Sequence, residues 1–347
     1  MAAGRLCATM TDTPKFPICE TPKPLDPAQK AALMEEIARL RKEKNAVILA
    51  HYYQDGDIQD LADFVGDSLD LSRRAAETDA DMIVFCGVRF MGEVAKILSP
   101  QKKVVIPDMA AGCSLEESCR AEDLAAWRKA NPDHVVVTYI NSSVEVKALS
   151  DYIVTSSSAL DIIEAIPPEK PILFAPDRHL GSWLKRKTGR EMELWPGSCI
   201  VHEEFSEEAL MALKEKHPDA PIAAHPECPF SILEKADFVG STKQILDFVL
   251  SRPEKEFIIA TEQHIIHQMK KAAPHKTFIP APGMDGDCKC ATCPYMALNT
   301  LEKLAAALRN EEPEIIIDEA LRQKALIPLQ RMLEISAQAA ARRAAAQ

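Results

Sequence analysis

The chain has 347 residues, of which 47% are hydrophobic and 27% charged; these are globular proportions that exclude a disordered or fibrous protein. Lys and Arg number 41 against 52 Asp and Glu, and the net charge of −11 disfavours wrapping nucleic acid or resting on an anionic membrane. No apolar run approaches the roughly 18 residues of a spanning helix.

In chain order, residues 1–25 read as a Pro-rich, polar, flexible arm without the apolar core of a secretory signal, and a soluble cytoplasmic protein is expected. Ten cysteines in a reducing compartment then point to metal or redox chemistry rather than disulfides. A flanking helix is expected over 26–45, with Asp26 as N-cap and Pro27 in its first turn.

From residue 46 the chain repeats itself. Apolar stretches end in His51-Tyr52-Tyr53, in Tyr139-Ile140-Asn141 and in His225-Pro226-Glu227, at spacings of 88 and 86 residues. Each first polar residue is followed 17 positions later by a hydroxyl, namely Ser68, Ser156 and Thr242. A third apolar run closes each unit, at 82–87, 171–177 and 256–262, and helix-like stretches lie between the runs. Three copies of strand, helix, strand, helix, strand imply a triplicated α/β unit with parallel sheets. The expected architecture is three pseudo-symmetric αβα domains around a central pseudo-threefold axis, spanning 46–115, 134–200 and 220–294, with further flanking helices over 300–340. Ligands in such sheets bind beyond the carboxyl ends of the strands, where the repeated polar residues stand.

Each unit also ends in an irregular Pro/Gly loop bearing a cysteine: Cys113, Cys199 and Cys293. Three converging cysteines suit either a zinc site completed by water or an iron-sulfur cluster with one open iron, and Pro294 after the last cysteine favours the cluster. Cys7 and Cys19 read as idle thiols and Cys86 as a small core hydrophobe. Cys119 and Cys228 do not recur between repeats, while Cys288 and Cys290 are spare thiols beside the third ligand.

The segments AHYYQDGDIQDLADFVGDSLDLSR, CGVRFMGEVAKILSP, YINSSVEVKALSDYIVTSS, FAPDRHLG, GSCIVHEEF, HPECP, ADFVGSTKQIL, CPYMALNTLEKL and PLQRML span residues 47 to about 332. In these the chain resembles the A-type quinolinate synthase family of de novo NAD synthesis. The resemblance implies a transferase that condenses iminoaspartate with dihydroxyacetone phosphate to quinolinate, losing phosphate and water. It also implies a 4Fe-4S cluster on Cys113, Cys199 and Cys293, and a substrate site lined by His51, Ser68, Tyr139, Asn141, Ser156, His225, Glu227 and Thr242. The chain departs from many relatives in its last loop, which reads C-x-C-x2-C rather than C-x2-C-x2-C.

The chemistry assigns roles. Ser68, Ser156 and Thr242 hold carboxylate or phosphate at helix starts, or serve simply as N-caps. Glu227 is the expected general acid or base, with Tyr53 and Tyr139 as donors to developing oxyanions. His51 and His225 are expected to hold carboxylates or move protons near neutral pH. Arg89 and Lys96 rank second, as phosphate neutralisers, and His179, His202, His264 and His267 read as satisfied residues outside the repeat. The partners expected are the two small substrates and a nearby enzyme supplying the unstable iminoaspartate. A cluster hydro-lyase, a zinc hydrolase and a non-catalytic iron-sulfur sensor are the competing readings.

Overall fold

Twelve short strands form three separate four-stranded sheets in the computed structural model, which describes residues 25–283 and 291–345. The first contains β1 (Ala46–His51), β2 (Phe64–Gly66), β3 (Met82–Cys86) and β4 (Lys103–Val105). The second contains β5 (Val135–Tyr139), β6 (Tyr152–Val154), β7 (Ile172–Ala175) and β8 (Glu193–Leu194). The third contains β9 (Ile222–Ala224), β10 (Phe238–Val239), β11 (Glu256–Ala260) and β12 (Thr277–Pro280). All pairings are parallel, and each sheet has the order second, first, third, fourth. Helices cover the sheets, giving the expected αβα layering. The near-continuous apolar runs of the central strands are buried on both faces, as parallel sheets require.

The fourth strand of each sheet is the departure from expectation, since the sequence shows three apolar runs per unit. These edge strands are two to four residues long. Too short for a readable period, they include Pro280, which an edge position tolerates.

A clasp that recurs in all three sheets sets the pairing of the first two strands. Asp63, Asp151 and Asp237 each accept a hydrogen bond from a backbone N–H of the first strand, at Ile48 (2.9 Å), Val136 (2.9 Å) and Ile222 (2.8 Å). Each aspartate returns its own N–H to the carbonyl of that same residue at 2.9 Å. A one-residue slip would exchange the two faces of a strand, so this reciprocal pair fixes which side chains stand at the strand ends.

The helix Pro27–Glu43 begins as the sequence indicates, with Asp26 accepting from Ala28 N at 2.9 Å, and packs on the helix Leu301–Asn310. A final helix, Glu319–Ala345, lies across β6 and the helices Val144–Ala148 and Ala159–Ala165, with Arg343 paired to Asp161 at 2.7 Å. The flanking helices expected over 300–340 are present, the last running on through Ala345. Of the arm at 1–25 only Leu25 is described; Cys7, Cys19, Cys288 and Cys290 lie outside the described residues. No helix among the described residues is long and apolar enough to cross a membrane.

Removing one clasp tests its role. Asp237→Ala leaves the buried Ile222 N–H without its partner and should destabilise the chain by about 1–3 kcal/mol. The expected result is a lowered urea midpoint; an unchanged midpoint would mean that the clasp carries no stability.

Candidate functional site

The parallel strands of all three sheets aim their carboxyl ends at one cavity. The first repeat contributes His51, Tyr53, Ser68 and Cys113 to its lining; the second contributes Tyr139, Asn141, Ser156 and Cys199. His225, Glu227, Thr242 and Cys293 come from the third. All twelve residues singled out in the sequence therefore meet at one place.

The two histidines are held alike. His51 Nδ1 accepts the Tyr53 N–H at 3.1 Å, and His225 Nδ1 accepts the Glu227 N–H at 3.4 Å. In each neutral ring the proton then sits on Nε2, which for His225 lies 3.3 Å from Ser156 Oγ. Burial is the main cause that lowers both imidazoles to about 3. They are thus neutral N–H donors at physiological pH, suited to holding carboxylates, and the expected proton shuttling near neutral pH is not supported.

Glu227 is buried and doubly held. Its Oε1 accepts the Tyr139 hydroxyl at 2.6 Å, and its Oε2 lies 2.9 Å from His202 Nδ1 and 3.9 Å from His225 Nδ1. Burial opposes its charge, but the two histidines and the hydrogen bonds from His202 and Tyr139 outweigh burial and keep the carboxyl below its ordinary range. Tyr53 Oη bonds to Thr242 Oγ1 at 3.0 Å and to Thr261 Oγ1 at 2.7 Å. Burial raises both the Tyr53 and the Tyr139 phenols, which keeps them as proton donors.

The repeated hydroxyls stand beside the caps and are not caps themselves. Asp67 caps the helix Ser68–Glu77 and Ser241 caps the helix Thr242–Ser251, so Ser68 and Thr242 are first helical residues whose hydroxyls are not spent on capping; both line the cavity, Thr242 with its hydroxyl on Tyr53. Ser156 lies in the turn before Ala159–Ala165. One residue on, the Ser157 hydroxyl is 2.5 Å from Asp67 Oδ2 and 2.8 Å from Ser241 Oγ, so the two caps and the second repeat meet in one hydrogen-bonded junction.

The three cysteines also share a local design: Cys113 and Cys199 are the N-caps of short helices, and Cys293 opens the turn before Met296–Leu298, its carbonyl accepting the Ala297 N–H at 3.1 Å. The backbone N–H three residues on, at Glu116, His202 and Met296, faces the sulfur and favours its thiolate. Burial nevertheless dominates, pushing the thiols of Cys113 and Cys199 far up and that of Cys293 to about 12.

Several residues belong to the site that the sequence reading left out. His202 is one: it is satisfied, as expected, but within the site, with Nδ1 at 3.2 Å from Cys199 Sγ, Nε2 at 3.0 Å from Thr261 Oγ1 and its ring stacked on His225. Glu262, the last residue of the third apolar run in its repeat, accepts the Cys293 N–H at 3.2 Å. By contrast, Arg89 is committed to Glu116 (2.6 Å) and Lys96 to Glu314 (3.2 Å), so neither is a free phosphate neutraliser. His179, His264 and His267 pair with Glu203, Glu262 and Asp60. Cys86, Cys119 and Cys228 are buried in the packing away from the cavity lining.

The family model described as Quinolinate synthetase A protein matches residues 35–334. The chain is 57% identical over 309 residues to the quinolinate synthase of Prochlorococcus marinus, covering 89% of this chain and 92% of the relative. It is 56% identical over 316 residues to that of Microcystis aeruginosa, covering 90% and 99%, and 57% identical over 304 residues to that of Nostoc sp., covering 88% and 94%.

The loop before Cys199 depends on Gly197, where a Cβ would meet Ser118 Oγ and, at 2.6 Å, the Pro176 carbonyl oxygen. Gly197→Ala should therefore displace this loop and destabilise the chain by about 1–3 kcal/mol. Urea denaturation measures the loss, and faster alkylation of Cys199 reports the displacement.

Proposed function

The chain belongs to the quinolinate synthase A family, and on that premise we propose that it condenses iminoaspartate with dihydroxyacetone phosphate to quinolinate in the three-repeat cavity, releasing phosphate and water. It is an enzyme of NAD biosynthesis and a transferase. The observation that carries the mechanistic reading is the convergence of one cysteine from each repeat on the cavity that holds the His51, Tyr139 and His225 series.

The donor set fits a 4Fe-4S cluster. Three half-buried thiols on one cavity would be costly to ionise without a cationic group to bind, and three N–H groups already face their sulfurs. Cys113, Cys199 and Cys293 would hold the cluster, which when bound supplies an open iron as Lewis acid. The other work falls to side chains. His51 and His225 donate from Nε2 to substrate carboxylates, and Ser68, Ser156 and Thr242 add hydroxyl donors to carboxylate or phosphate. Asn141, whose buried Oδ1 has no partner among the described residues, offers its amide to the substrate.

Glu227 accepts the proton lost from carbon in the isomerisation and dehydration steps. Tyr139, hydrogen-bonded to it, holds the carboxylate in place and binds substrate oxygen. Tyr53, fixed by Thr242 and Thr261, donates to a developing oxyanion. The small-molecule substrates, the supply of iminoaspartate by an enzyme close by and a cytoplasmic location complete the proposal.

Anaerobic purification followed by iron and sulfide analysis should give about four of each per chain, with a brown colour that air bleaches. Cys113→Ala should lose both colour and activity. Glu227→Gln should retain its iron yet form quinolinate about 10²- to 10⁴-fold more slowly, the range expected for loss of a general base. Quinolinate formation by iron-free chain, or full activity in Cys113→Ala, would overturn the reading.

A further inference from the structure

Besides the three-cysteine set, a second group of metal-ligating atoms converges on the same cavity. Cys199 Sγ, His202 Nδ1 and Glu227 all lie within 4.8 Å of one another. His202 Nδ1 is 3.2 Å from the sulfur and 2.9 Å from Glu227 Oε2. Ligand atoms around a tetrahedral zinc at bond lengths of roughly 2.0–2.3 Å stand roughly 3.2–3.7 Å apart. His202 Nδ1 would have to move slightly away from its two partners, and the Cys199–Glu227 pair, within 4.8 Å, would close by at most about 1 Å, to surround an ion.

We propose that the cluster-free chain binds one zinc ion through Cys199 Sγ, His202 Nδ1 and Glu227 Oε2. The surroundings are those of a built site. In the metal-free chain His202 donates its Nδ1–H to Glu227 Oε2; on metal binding the ring takes the other tautomer, with its proton on Nε2, where Thr261 Oγ1 at 3.0 Å can accept it, and Nδ1 becomes the lone pair. Glu227 Oε1 accepts the Tyr139 hydroxyl at 2.6 Å, which orients the carboxylate and leaves Oε2 for the metal. His202 and Glu227 are buried, and all three residues line the cavity.

One sulfur, one imidazole nitrogen and one carboxylate oxygen form a mixed set suited to zinc rather than to calcium or magnesium, which take oxygen ligands. Three protein ligands leave a fourth position facing the cavity, open to water. On binding, the Cys199 thiol gives up its proton, His202 coordinates as neutral imidazole, and nothing is oxidised or reduced. Only Cys199 is common to this set and to the proposed cluster ligands, so the ion and the cluster exclude one another.

Cobalt(II) serves as the probe, added anaerobically to the full-length cluster-free chain. One cobalt per chain should bind, with a thiolate-to-cobalt charge-transfer band and the intense visible bands of four-coordinate cobalt, and zinc should erase both. The charge-transfer band should vanish in Cys199→Ser and persist in Cys113→Ser, Cys293→Ser, Cys288→Ser and Cys290→Ser. Cobalt affinity should fall at least about tenfold in His202→Ala and in Glu227→Gln, since loss even of an outer-shell partner costs that much. Thr261→Val, which removes only the outer partner of His202, keeps the test decisive if His202→Ala misfolds by circular dichroism.

A band that requires Cys113, Cys293, Cys288 or Cys290, or one indifferent to both His202 and Glu227, would overturn the site. So would the absence of any band. A second arm rests on the cluster reading: zinc preloading should slow iron-sulfur reconstitution. Unimpeded reconstitution alongside intact cobalt bands would count against Cys199 as the shared ligand while leaving the ion site in place.

Discussion

The hydrogen-bonded junction of Asp67, Ser157 and Ser241 is the constraint on which the rest of the site depends. It ties together residues from all three repeats, each at the turn that follows a second strand. Asp67 and Ser241 are at the same time the caps that start their helices, so the junction also fixes where Ser68 and Thr242 begin. An aspartate that spends one oxygen on Leu69 N and Asp70 N and the other on Ser157 leaves little freedom for one repeat to turn against another. Buried polar networks of this kind specify one arrangement because any other leaves a charge or hydroxyl without a partner. The cavity is the space left beside that junction.

Burial then decides the electrostatics of the cavity. It drives two imidazoles to their neutral form and two phenols to their protonated form, and it disfavours three thiolates. What results is a wall of neutral donors around one carboxylate, Glu227, whose charge survives because Tyr139 and His202 hydrogen-bond to it. A cavity lined by neutral donors already held in place suits small anionic ligands better than one that must reorganise water around them. The overall charge of −11 is no obstacle, since the donors are local and buried.

How much of this the sequence disclosed depended on whether a residue repeats. The strand-end series at 51, 139 and 225, the hydroxyls 17 residues on and the closing cysteines were legible because a triplicated unit shows each position three times. The aspartates of the clasp were equally visible in ADF, SDY and ADF, though only the structure shows why a carboxylate belongs there. His202 was illegible for the opposite reason: its counterparts three residues after Cys113 and Cys293 are Glu116 and Met296, so no pattern flags it. The edge strands are too short to carry a period. Arg89 and Lys96 look like anion binders in sequence and are neutralised in space by acids 27 and 218 residues away.

The departures from symmetry are where the chemistry lies. Two residues beyond each strand-end position stand Tyr53, Asn141 and Glu227, a phenol, an amide and a carboxylate on otherwise equivalent frames. Three residues beyond each cysteine stand Glu116, His202 and Met296, of which only His202 reaches Glu227. The repeated elements, namely the clasp, the helix starts and the cysteine turns, build the same scaffold three times and can bind a threefold set of groups. They cannot by themselves distinguish one substrate face from another. The proposed condensation, which joins two different molecules and then removes phosphate and water, needs an acceptor on one side and donors on the others, and on that reading the positions two residues beyond the strand ends would supply that difference. Under the proposed function, the loss of symmetry at those three positions gives a single cavity a direction, with proton acceptance at Glu227 and hydrogen-bond donation at Tyr53.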